Sequence, residues 1–477
     1  MLYLFIVTNI FYLRNRLVSI QLTFFMQKNT VPVGIGAMAY YVPSIYLDLK
    51  DLAPIRQLDY DKLSKGLGVL KMALPDVNED AASMAANAVW KLLTTYQIAP
   101  ESIGRLYVGT ESGVDGAKPL ATYILEMLNS RYNAQRGTDQ QHFLYCDAID
   151  MTFACIGGVD ALQNTLDWVR GGENRTGIVV ATDYAKYEKF SGGEYTQGAG
   201  AVALLVTQNP RLLVINDTWG VATQSEHDFF KPKFSETPVF DGQFSNNCYQ
   251  QRLQTAYQHF KQQKVALGEY TPTDLPSEKW SQIIFHLPYA FHGKRMFTEI
   301  FTEERLQAPH NKQLSKAIGL TTETLPNNSL AELTKTVAKS EYYNSFVKDK
   351  IADGQTASSQ IGNMYTASIF MALMSSLAAK VGRGEDITQQ TIGFCAYGSG
   401  SKSKVFEGVV QPTYKNIVSA FQLFEDLAQR QAIDTATYEQ LHDKTLATPI
   451  CKDKGKFILQ NILNEPVTLA GARKYSY

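Results

Sequence analysis

DMTFACIGGVDALQNTLDWV, residues 150–169, opens polar and passes into a helical pattern. Ile156, Val159, Leu162, Leu166 and Val169 recur three or four residues apart, which puts them on one face of a helix. That helix begins near Cys155, runs to about Val169 and is stopped by Gly171 and Gly172. Just upstream, His142–Asp147 is an apolar run of strand length. Strand, short connector and helix form an α/β unit, and the alternation recurs along the chain. Further strands are read at Val33–Met38, Arg105–Gly109, Gly177–Thr182, Ala201–Val206, Leu212–Asn216, Ile283–His286 and Thr391–Ala396. A helix over Asp80–Gln97, with Asp80 as its N-cap, carries Ala81, Met84, Ala85, Ala88, Val89, Leu92 and Leu93 on one face. Met364–Lys380 is apolar almost all round and reads as a buried helix. The stretch from Asp217 to Gly268 is more polar and aromatic and is expected to leave the sheet core, while Thr302–Ser358 reads as a charged, helical surface region.

The wider composition agrees with a large globular α/β protein. The 477 residues are 45% apolar and 19% charged, enough to build a core without disulfides. Lys and Arg number 45 against 46 Asp and Glu, so no basic stripe points to nucleic acid. Cys146, Cys155, Cys248, Cys395 and Cys451 are odd in number and show no CxxC spacing, which argues against a disulfide framework or a zinc site and for a reducing, cytoplasmic setting. The apolar run Leu2–Leu13 is shorter than the ~20 residues of a bilayer span. Its basic residues Arg14 and Arg16 follow it, the reverse of a signal peptide. Residues 1–32 are therefore read as an extension outside the fold, with a membrane-surface segment as the lesser alternative.

Three residues carry the candidate chemistry. Cys155 opens a helix, where unpaired N–H groups favour a thiolate nucleophile, and Gly157 and Gly158 let the first turn pack closely. Glu111, just past a strand end, can serve as a general base if burial raises its pKa. His286 ends a short apolar strand before Pro288 and can donate a proton or hydrogen-bond a carbonyl oxygen. Each alone has a bland reading: a structural thiol, a solvated loop carboxylate, a core histidine. Together they lie at the C-terminal ends of strands, where open α/β sheets bind ligands, and make a set for acyl transfer through cysteine. The Gly398–Gly400 turn offers N–H donors for an oxyanion.

Further segments keep a common order: NEDAASMAANA (78–88), GTESGVDGAK (109–118), FACIGG (153–158), SGGEYTQGAGAVALL (191–205), HDFFKP (227–232), FHLPYAFHGK (285–294), GNMYTAS (362–368) and AYGSGS (396–401). With these segments, residues 33–477 resemble the 3-hydroxy-3-methylglutaryl-CoA synthase family of the thiolase superfamily. The resemblance implies a thiolase-like α/β fold whose two related halves form a five-layer αβαβα core, working as a homodimer. It divides the chain into an N-terminal half, 33–216, holding Cys155, and a C-terminal half, 217–477, holding His286 and the Gly-Ser-Gly turn. It implies that Cys155 takes the acetyl group of acetyl-CoA and that Glu111 removes a methyl proton. His286 would hold acetoacetyl-CoA, and water would then release HMG-CoA in the mevalonate route to isoprenoids. No metal and no redox cofactor is implied; the CoA thioesters are substrates. Asn363 and Tyr397 match pocket-lining positions, and Ser399 lies in the turn proposed for the enolate oxygen. Thr196, Asp183 and Asp228 match further polar positions.

Three departures from the family pattern stand out. Ile156 follows the nucleophile where tyrosine is common, Tyr195 replaces a common proline, and Phe291 replaces a lysine thought to meet CoA phosphate. Lys294 and Arg295 are the expected replacements for that lysine. Phe291 also opens an alternative in which the acceptor rides on an acyl carrier protein. A decarboxylating β-ketoacyl synthase is disfavoured by Glu111 and the FHLP histidine, and a dead scaffold by the survival of all three reactive residues.

Overall fold

The computed structural model describes residues 31–452 and 455–477, so the expected extension falls, except for Val31 and Pro32, outside the described residues. Val33–Tyr477 form one unit built on a ten-stranded mixed sheet. Its strands are β1 (Val33–Tyr41), β2 (Arg105–Gly109), β3 (Asp147–Met151), β4 (Thr176–Ala185), β5 (Gly198–Gln208), β6 (Leu213–Ile215), β7 (Gly220–Thr223), β8 (Gln282–Phe285), β9 (Thr391–Gly398) and β10 (Lys402–Val410). They are ordered β8-β9-β10-β6-β1-β5-β4-β2-β3, with β7 added on β10. β2 runs parallel to β3 and β4, and β8 parallel to β9. The short β6 bridges β10 and β1 and so joins the two halves of the sheet.

Nearly every residue of β4 and β5 is buried, because helices cover both faces. On one face the Thr182 hydroxyl donates to Ala81 O (2.8 Å) of α1 (Ala81–Thr95). On the other, Ala181 faces Gly158 of α2 (Gly157–Arg170), since successive strand residues point oppositely. Helix α3 (Gly242–Ala266) packs across β7, β9 and β10. Two further helices are α4 (His292–Glu304) and α5 (Ala352–Ile361). Helix α6 (Ser368–Gly382) meets α2 through Phe370 at Gly158, and its Ser376 hydroxyl donates to Gln282 of β8 (3.1 Å). The succession is helix, one half of the sheet, paired helices, the other half of the sheet, helix: the five layers of the expected fold.

Local expectations hold where the pattern is strong. Asp80 caps α1 by accepting from Ser83 N (2.9 Å), and Ser83 Oγ accepts in return from Asp80 N (2.9 Å), a reciprocal cap. The apolar stripe of α2 is buried, and α6 is buried on nearly all sides after a short 3₁₀ turn, Tyr365–Ala367.

Two readings are corrected. The strand expected at His142–Asp147 lies instead at Asp147–Met151, paired in register from Arg105↔Asp147. Phe143 fills the core from a turn, while Leu144 and Tyr145 are exposed, so the apolar run was not a pleated surface. The segment from Asp217 to Gly268 does not leave the core: it contributes β7 and the 25-residue α3. Its polar residues are the solvent face of a helix whose Tyr249, Leu253, Ala256, Tyr257 and Phe260 are buried against the sheet.

Candidate active site

Cys155 sits at the mouth of α2, two residues before its first helical residue, and is 8% exposed. The residue before it, Ala154, has φ +40°, and Tyr365 across the site has φ +43°. Non-glycine residues in this region cost on the order of 1–3 kcal/mol each and persist where surrounding structure holds them. Part of that structure is the close approach of Gly398: a Cβ there would lie 2.7 Å from Ile156 N and 2.8 Å from Phe153 O. Gly398→Val should therefore shift the Cys155 loop and slow acetyl transfer to the thiol at least ~100-fold. The rate of acetyl adduct formation by mass spectrometry reads this, and a wild-type rate would show that the approach does not position the nucleophile.

Glu111 stands two residues beyond the end of β2, and its carboxyl lies against the Cys155 thiol. The residue is half-exposed, yet Oε1 is buried and has no hydrogen-bond partner among the described residues. Burial first, then the neighbouring Asp183 carboxylate, pushes its pKa up to about 8. Cys155 is itself pushed well above the ordinary thiol range, by burial and then by Glu111. This corrects the expectation of a thiolate favoured by the helix terminus: burial first, then the acidic groups Glu111, Asp183 and Asp228, oppose the charge. The thiol is protonated at rest, so any reaction at its sulfur would need a proton acceptor.

Asp183 stands behind this pair, fully buried. Its Oδ1 accepts from Glu111 N (2.7 Å), Ser112 Oγ (2.8 Å) and Thr110 Oγ1 (3.1 Å), and its Oδ2 from Thr366 N (3.0 Å) and Thr366 Oγ1. It ties the Glu111 loop to the turn before α6. Asp228 plays a like part opposite, accepting from Tyr397 OH (2.6 Å), Gly400 N (2.8 Å) and Ser245 Oγ (3.4 Å). Both were expected as polar pocket positions; neither lines the cavity, Asp183 holding the loop of Glu111 and Asp228 holding Tyr397 and Ser245, which do line it.

A cavity of about 260 Å³ brings together Cys155, His286, Asn363, Tyr397, Ser399 and Thr196. His286 continues β8, its N–H bonded to Cys395 O (3.0 Å), and its carbonyl accepts from Tyr249 OH (3.0 Å). Burial lowers its pKa to about 3, so the ring is neutral at pH 7 and can donate one hydrogen bond but is not a charged acid. Asn363 Oδ1 accepts from Tyr365 N (2.8 Å) and Ser368 Oγ (3.1 Å), and its N–H meets Thr196 O (2.9 Å).

Lys294 is not on the cavity wall. Its ammonium lies 3.4 Å from the Phe291 ring centroid, a cation–π contact, while Arg295 lines the cavity instead. Sequence reasoning also missed the aromatic wall of Tyr187, Tyr249, Tyr289 and Tyr365, and a second histidine, His292. The only sequence signal for His292 was its place six residues after His286 in FHLPYAFHGK.

Comparison with known proteins gives this geometry its family. The pattern "Hydroxymethylglutaryl-coenzyme A synthase N terminal" matches residues 29–210, and its "C terminal" counterpart matches 214–452. The hydroxymethylglutaryl-CoA synthase of Haloferax volcanii is 32% identical over 425 residues, 86% of this chain and 91% of that protein. The chain belongs to the hydroxymethylglutaryl-CoA synthase family. It is an enzyme of the acyltransferase type. The synthase of Enterococcus faecalis is 29% identical, covering 91% of this chain and 98% of the other. Among solved structures, MvaS in complex with 3-hydroxy-3-methylglutaryl coenzyme A superposes with TM-score 0.78 at 29% identity, over 93% of this chain and 99% of that one. The Curacin pathway HMG synthase bound to its apo donor carrier protein shares the fold, with TM-score 0.73 at 23% identity over 93% of this chain and 99% of that one. Among the described residues no helix is long and apolar enough to cross a membrane.

Proposed function

We propose that this member of the synthase family condenses acetyl-CoA with acetoacetyl-CoA and water to give HMG-CoA and CoA, on Cys155. The observation that carries the reading is the contact of the Cys155 thiol with the Glu111 carboxyl behind it, while Cys155 itself shares a cavity with neutral His286. Cys155 Sγ attacks the acetyl-CoA carbonyl, and its proton passes through Glu111 to the departing CoA sulfur. Glu111 then removes a methyl proton from acetyl-Cys155, and the enolate oxygen is held by backbone N–H groups at Cys155 and at Ser399. The enolate carbon attacks the acceptor ketone, whose oxygen accepts a hydrogen bond from His286 and takes the proton from Glu111. Water finally cleaves the Cys155 thioester. The roles use side chains, backbone N–H groups and CoA thioesters, and the reading includes no metal or redox cofactor.

For the acceptor carrier, CoA is favoured over carrier protein, because Arg295 reaches the cavity where Phe291 is packed between Lys294 and Gly68. The reading includes a homodimer, supported by the free edge of the sheet at β3, where Tyr145 is 92% exposed beside the exposed Leu144 and Ile149. It also includes a cytoplasmic place in the mevalonate route.

The test is CoA release from purified protein given both substrates. Release with CoA substrates alone supports the reading; release only after carrier-bound acetoacetyl units are supplied would transfer it to carrier chemistry. His286→Ala should still form the acetyl adduct while condensation falls ~10²-fold or more. Equal loss of both steps would show that His286 does not serve the acceptor.

A further inference from the structure

His292 is the first residue of α4 and is 2% exposed, facing the same cavity as Cys155 and His286. Neither of its ring nitrogens has a hydrogen-bond partner among the described residues, and Nδ1 of His286 is likewise without one. A neutral imidazole carries one donor and one acceptor, and leaving either buried and unpaired is costly. The surroundings offer packing rather than hydrogen bonds. The ring meets Tyr249 edge to face at 4.4 Å between centroids and Tyr289 at 4.8 Å. Two hydroxyls of the cavity wall are already donating, Tyr249 to His286 O and Tyr397 to Asp228. What this part of the wall presents is therefore a pair of imidazoles on one aromatic face, both kept neutral by burial.

An acetoacetyl thioester carries two carbonyl oxygens in a 1,3 relation. Given the condensation argued above, on which this assignment rests, a single imidazole can meet only one of them. We propose that His292 is a second acceptor-binding residue, donating to the thioester carbonyl oxygen of the acetoacetyl group while His286 donates to its ketone oxygen. The donor substrate gains nothing from His292 in this arrangement, since acetyl-CoA has one carbonyl and it is held at Cys155. His292 thus separates the two half-reactions and selects a 1,3-dicarbonyl acceptor over a simple ketone.

Two substitutions test it. H292M keeps the bulk and removes the N–H; H292Q keeps a donor. With wild-type turnover established, H292M should acetylate Cys155 at the wild-type rate with acetyl-CoA alone. Its KM for acetoacetyl-CoA should rise about tenfold, the loss of roughly one neutral hydrogen bond. H292Q should stay within about threefold of wild type, since an amide N–H replaces the lost donor. An unchanged KM in H292M, no recovery in H292Q, or an equal fall in acetylation would overturn the assignment and leave His292 as packing. Should H292M fail to fold, H292L, which also lacks the donor, decides on the same two readouts. Wild-type protein that condenses nothing would instead overturn the functional reading, and this assignment with it.

Discussion

Cys155→Ala protein folds, melts within about 4 °C of wild type, and takes up no acetyl group from acetyl-CoA. The change removes one sulfur from a buried site and leaves α2, its apolar stripe and the Gly398 approach in place. Overall turnover should fall by at least ~10³-fold, the scale on which loss of a covalent nucleophile is felt. Cys146, Cys248, Cys395 and Cys451 do not compensate, because none of them lines the cavity. Intact-protein mass spectrometry and calorimetry read the two halves of the prediction. An acetylated, active Cys155→Ala variant would remove this thiol from the mechanism.

Glu111→Gln should be the second most damaging change. The amide keeps the shape but cannot accept the thiol or methyl proton, so condensation should drop ~10²–10⁴-fold. A direct readout is the acetyl-enzyme in D₂O: wild type exchanges its methyl protons, and the variant should not. The pH profile follows from the raised pKa. Below about 8 the carboxyl is mostly protonated and cannot act as base, so wild-type turnover should rise as pH climbs and level off near or above that value. The variant should lose that rising limb. Methyl exchange at the wild-type rate in Glu111→Gln, or the same rising limb in both proteins, would assign the proton transfer to another group.

How much of this was legible depends on the range of the interaction involved. Cys155, Glu111 and His286 stood out as candidates because each follows a strand closely, where local pattern and turn chemistry leave marks in the sequence. The protonation of Cys155 was not readable. A helix terminus is a local feature, but Glu111, Asp183 and Asp228 arrive from distant segments, and their combined effect with burial outweighs it. Asp183 and Asp228 were recognised as polar and important, yet only the packed structure shows them turned toward Thr366, Tyr397 and backbone N–H groups instead of toward a substrate. Lys294 and Arg295 are neighbours in sequence but point about 100° apart around α4, and packing alone decided that Arg295 reaches the cavity.

By itself the sequence determined the α/β class, the helix beside Cys155, the N-cap at Asp80 and the choice of Cys155, Glu111 and His286 as candidates, because periodicity, caps and strand-end positions are properties of short stretches. The tertiary structure alone decided that residues 217–268 complete the sheet, that the strand before the nucleophile starts at Asp147, that the resting thiol is protonated, and that His292 stands beside His286. Each of these depends on burial and on charges or hydrogen-bond partners brought together from far along the chain, and a short stretch of sequence carries no record of them.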